Sequence, residues 1–168
     1  MDAPGIAHVA FGLASLVLGI SVFSRRKGTN LHRAIGALYV FSMFGLNVTA
    51  LLIYRVFGGF GAFHVLSLIN LALLLAGFGT VLLQRPHKRW LRCHYYLMGW
   101  SYVGLLAATA TEITVRVVGW PFALAVAAPT IGVTVLGGAL VQFLERPTMR
   151  RLGGRRSNKR MEPARSGL

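Results

Sequence analysis

Residues 6–40 read IAHVAFGLASLVLGISVFSRRKGTNLHRAIGALYV. An uncharged run from Ile6 to Phe23 meets Arg25, Arg26 and Lys27, and a second uncharged run opens behind His32 and Arg33. A helix needs about 20 apolar residues to cross the hydrocarbon core, where unpaired backbone has no water to bond. The stretch therefore predicts two membrane-spanning helices joined by a short basic loop. Residues 62–103, AFHVLSLINLALLLAGFGTVLLQRPHKRWLRCHYYLMGWSYV, repeat the pattern. His8-Val9 matches His64-Val65. The loop around Lys27 matches the loop Arg85 to Arg92, and His32 matches His94. Gly36 to Tyr39-Val40 matches Gly99 to Tyr102-Val103.

Working outward, uncharged runs predict spans at about 6–23, 32–55, 63–83, 91–115 and 121–143. Residues 1–144 then form one all-α transmembrane domain of five helices. The first four are two tandem hairpins of like orientation, expected as a four-helix bundle with a pseudo-two-fold axis along the membrane normal. Residues 145–168 form a basic tail too poor in apolar residues to bury a core, expected to be disordered or held by a partner. Frequent small residues in the spans suit close helix packing, with clearance for a flat cofactor as the alternative.

The 168 residues are 55% apolar with a net charge of +14, and that charge is confined to loops and tail. This excludes nucleic acid as a partner and points to anionic headgroups, or to other subunits of a membrane complex. The lone Cys93 rules out an internal disulfide and a multi-cysteine metal site. The first span lacks a basic leader and reads as a retained helix rather than a signal peptide. Lys and Arg crowd the first and third loops and the tail, while the other two connections carry only Arg55 and Arg116. The positive-inside rule then expects the N-terminus outside and the C-terminus in the cytoplasm of a bacterial inner membrane.

This topology sorts the histidines by height. His8 and His64 lie at the outer boundary, His32 and His94 at the inner one, and His87 in a basic loop. Ionisable groups in membrane spans are functional candidates by default. Glu112 approaches the outer pair, with Asn47 and Thr49 at similar depth, and Arg116 four residues on offers it a helix ion pair. Three readings are open. In the first, His8, His64, His32 and His94 are axial ligands of b-type haem, Arg33 and Arg92 meet its propionates, and electrons cross the bilayer. In the second, His8, His64 and Glu112 hold zinc or iron, or relay a proton. In the third, favoured here, the protein is a non-catalytic accessory or structural subunit whose histidines sit among headgroups. No nucleophile–base pair, phosphate loop or nucleotide-binding turn is present, so a soluble-type enzyme is excluded.

The His-leading first span, the segment His32-Arg33-x-x-Gly36-x-x-Tyr39, and the loop ending in His94-Tyr95 resemble a family of small bacterial membrane proteins of unknown function. The resemblance spans roughly Ile6 to Arg116. It implies a multi-spanning membrane fold and an Arg near the end of the fourth span, matched by Arg116, with Glu112 as a departure. It implies no activity or ligand. The layout of two histidines per half is also loosely similar to transmembrane b-type cytochromes, at the level of architecture alone.

Overall fold

The computed structural model describes residues 3–54, 58–84 and 89–165, with side chains through residue 152. Among these residues the chain is all-helical. The elements are α1 (Ala3–Ser24), α2 (Asn30–Leu51), α3 (Ala62–Leu83), α4 (Trp90–Ile113), a π-helical turn (Thr114–Val118) and α5 (Phe122–Arg165). Five helices are long and apolar enough to cross a membrane, as the sequence predicts. The first three have 22 residues each, about 33 Å of helix at 1.5 Å per residue, which matches the hydrocarbon core.

Local chemistry fixes the helix ends. α2 is capped by Thr29, whose hydroxyl accepts the His32 N–H at 3.1 Å. Lys27 closes α1 by donating to the carbonyls of Val22 and Phe23 at 2.7 and 2.8 Å. α4 does not stop at the loop expected from Val115. It passes into the π-helical turn and ends at Gly119, whose φ of +67° suits a residue without a Cβ. α5 runs on past the apolar span to Arg165. His87 of the basic loop lies outside the described residues, as does Arg55.

The helices pack as two hairpins, α1 on α2 and α3 on α4, joined by α2 against α3 and a shorter contact of α1 with α4. α5 lies along α4 alone among the transmembrane helices. Polar residues share the interior with a core of Tyr39, Met43, Leu74, Met98 and Leu105: Ser15, Ser42, Asn47, Ser101 and Thr111 are buried, while Leu13, Val17, Ile20 and Leu136 are about 60% exposed or more. That inversion belongs to a bundle whose solvent is lipid, where close packing and interhelical hydrogen bonds replace the hydrophobic effect. Glycines make the packing possible. A Cβ at Gly19 would collide with the Tyr102 ring, and one at Gly45 would lie 2.7 Å from Phe11. The matched tyrosines meet: the Tyr39 and Tyr102 rings are 6.2 Å apart at 63°, and the Tyr39 hydroxyl bonds Ser101 at 3.2 Å.

Candidate functional site

The two loop-bearing ends of the bundle differ. At the end formed by the α1–α2 and α3–α4 loops, here the basic end, a half-enclosed cavity of about 1310 Å³ opens between the hairpins. Ligand pockets commonly hold 300–1,000 Å³, so this one has room for a large amphiphile. His32 and His94 both line it, and their rings are near enough to act on each other electrostatically. Lys27, Arg33 and Arg151 add cationic groups, with no carboxylate among the described lining residues. Val22, Val40, Phe78, Val81 and Met98 supply apolar wall. Burial pulls the Lys27 ammonium down to about 8 from the usual lysine range.

Hydrogen bonds set the state of His94. Its Nδ1 lies 2.9 Å from the Gly77 carbonyl. A carbonyl only accepts, so Nδ1 carries the proton, and the neutral ring keeps its lone pair on Nε2. His32 has a buried Nδ1 with no partner. Gly36, one turn along α2 from His32, faces the cavity with nothing within 4 Å of where a Cβ would lie. Its match Gly99 is covered instead: a Cβ there would lie 3.2 Å from Val141 of α5.

At the opposite end each histidine is tied up separately. The Thr49 hydroxyl donates its proton to the Gly45 and Leu46 carbonyls, so its oxygen accepts from His8 Nδ1 at 3.2 Å. His64 is 2% exposed and lies between the rings of Tyr54 and Phe60, with centroids 4.8 and 5.0 Å away. Its Nδ1 accepts the Gly61 N–H at 3.1 Å, which caps α3. A backbone N–H only donates, so this ring is neutral with its proton on Nε2, an atom buried without a partner. No hydrogen bond or ring contact joins His8 to His64 among the described residues.

The remaining sequence candidates fall as follows. Glu112 is near enough to His8 to act on it electrostatically, but its Oε2 is held by Arg116 at 2.7 and 2.8 Å. No three His, Cys, Asp or Glu side chains converge as a metal site would among the described residues. Arg33 lines the cavity. Arg92 instead reaches α5, where its Nε lies 2.6 Å from Glu145, and Tyr96 donates to the other Glu145 oxygen at 2.9 Å. Asn47 bonds back to the Met43 carbonyl at 2.7 Å. Lys27 and Arg151 were not singled out by the sequence. The one signal for them was that each follows an apolar run at the basic end.

Five helices long and apolar enough to cross a membrane, with large apolar side chains turned outward, define an integral membrane protein of the helix-bundle class. The chain belongs to the predicted membrane protein family DUF2306, whose model matches residues 5–144 and so covers both hairpins and α5 through its apolar part. No curated protein and no solved structure matches the chain.

Proposed function

We propose that this is a non-catalytic binding protein of the bacterial inner membrane, an accessory subunit that holds a ligand with anionic groups on a largely apolar body. The observation that carries this reading is the cavity at the basic end, with Lys27, Arg33 and Arg151 lining it, apolar walls behind them and no described carboxylate to oppose them. Cationic groups beside apolar walls favour an anionic partner with an apolar body, and the exposure of Arg33 and Arg151 makes that attraction weaken as salt rises. The Lys and Arg distribution supports the basic end as the cytoplasmic one, with the N-terminus outside. The matched contacts, His32 with His94 around one cavity and Tyr39 against Tyr102, support a pseudo-two-fold relation between the hairpins.

Native mass spectrometry of the full-length protein in mild detergent tests the reading. An anionic amphiphile should remain bound to the wild-type chain. It should be lost in the variant Lys27→Gln/Arg33→Gln/Arg151→Gln. A wild-type chain without such an adduct, or one that holds zwitterionic phosphatidylcholine equally well, overturns it.

A further inference from the structure

We infer that the ligand of this cavity is one b-type haem, held between the imidazoles of His32 and His94, and that the opposite end holds none. The inference rests on the reading that the cavity takes an anionic amphiphile, and names it. A porphyrin supplies four nitrogens in a plane, so the protein needs to add only two axial donors. Two imidazoles on facing helices of a four-helix bundle meet that need, whereas a bare metal ion would require three or four protein ligands.

Four observations converge. First, His32 of α2 and His94 of α4 line the same cavity from different hairpins. Second, the Gly77 carbonyl fixes the Nδ1–H tautomer of His94 at 2.9 Å and leaves Nε2 as the donor. An N–H given to a backbone carbonyl is the usual way a protein orients a metal-binding histidine. Third, Gly36 stands four residues after His32, on the same helix face, and opens on empty space. A flat macrocycle bound at His32 would pass over that position, where a larger side chain would obstruct it. Fourth, Lys27, Arg33 and Arg151 offer cations to the two propionates from loop, α2 and α5.

The opposite end fails the same tests. His64 has committed its Nδ1 lone pair to the Gly61 N–H, and Nε2 carries the proton. To ligate iron through Nε2 the ring would have to give up the cap of α3. It is also stacked between Tyr54 and Phe60, with 2% of its surface exposed. Thus a sequence with two matched histidine pairs is expected to bind one haem per chain rather than two.

The test uses the full-length protein, produced in cells supplied with the haem precursor 5-aminolevulinate and purified in mild detergent. Pyridine haemochrome assay should give about one haem b per chain. Dithionite should produce the sharp bands of a six-coordinate low-spin haem. His32→Ala and His94→Ala should each lose that spectrum, while His8→Ala and His64→Gln retain it. Should His94→Ala fold poorly, His94→Gly with added imidazole should recover the low-spin spectrum, which a purely structural role for His94 would not give. A haem retained unchanged in both His32→Ala and His94→Ala overturns the inference. So do two haems per chain, or a haem lost in His8→Ala. Protein that carries an anionic phospholipid in the cavity but takes up no haem, even when hemin is added, overturns the haem assignment and leaves the binding reading standing. Protein that takes neither overturns both.

Discussion

The basic end and the opposite end carry matched histidines, yet they spend them in opposite ways. His94 gives its Nδ1 proton to a carbonyl and keeps a lone pair on Nε2 beside a cavity. His64 gives its Nδ1 lone pair to a backbone N–H and is closed in by two rings. One histidine lines open space with its second nitrogen free of any proton, and the other serves as a helix cap and core residue. The lesson is that residue type and position are insufficient. The group that bonds the first ring nitrogen decides what the second can do.

The largest expected effect is at the opposite end. His64→Ala removes a buried ring from between Tyr54 and Phe60 and uncaps α3. We expect a loss of about 2–4 kcal/mol, in the range for deleting a buried large side chain, read as a drop in midpoint on unfolding in detergent. His32→Ala should change that midpoint far less, because His32 faces a cavity. Equal losses from the two variants would erase the distinction.

Next comes the glycine pair. Gly36→Leu should fill open cavity, lower ligand affinity at least tenfold (about 1.4 kcal/mol) and leave thermal stability nearly unchanged. Gly99→Leu should do the reverse, forcing α5 off α4 at Val141 and lowering stability while ligand contacts remain. Paired ligand-binding and melting measurements on both variants decide this.

A smaller effect concerns pH. Lys27 loses its proton near pH 8 in the ligand-free protein, in a cavity shared with His32, Arg33, His94 and Arg151. Its folded value is depressed, so this group's contribution to stability is full above the unfolded range near 10.5 and is lost as pH falls through about 8. Anion binding has the opposite dependence, since the bound anion favours the charged amine. Affinity should fall severalfold as pH rises from 7 to above 8 and should stay flat in Lys27→Gln, measured by titration in vesicles of fixed composition.

The smallest effect belongs to the exposed pair Glu112–Arg116. Glu112→Gln should cost about 0.3–0.5 kcal/mol, the range for a helix pair four residues apart, and should leave the basic-end ligand untouched. A loss of ligand in this variant would connect the two ends and break the contrast drawn above.

Much of this was legible in the chain. Long apolar runs and basic loops gave the five helices because lipid demands them at a fixed length. The heights of the histidines followed from helix order. What was not legible was helix rotation, which tertiary packing sets. Nothing local to Arg92 says that it turns to Glu145 on α5, while Arg33 stays at the cavity. Lys27 and Arg151 resembled every other basic residue near the loops and tail. The extension of α4 through Thr114–Val118 was hidden because β-branched residues with an Arg also read as the rim of a loop.

Tyr102 has a mechanical meaning. Its ring fills the notch at Gly19, its hydroxyl donates to the Leu16 carbonyl at 3.3 Å, and its face lies 5.1 Å from Phe23. A ring seated in a notch acts as a dowel: it resists sliding and twisting of α1 on α4 more than a smooth apolar contact would. Phe23 touches this dowel on one side and the cavity on the other. A group bound in the cavity would therefore press, through Phe23, on the joint that sets the angle between the hairpins. A bound group would tighten that joint, and the whole bundle would stiffen from one end.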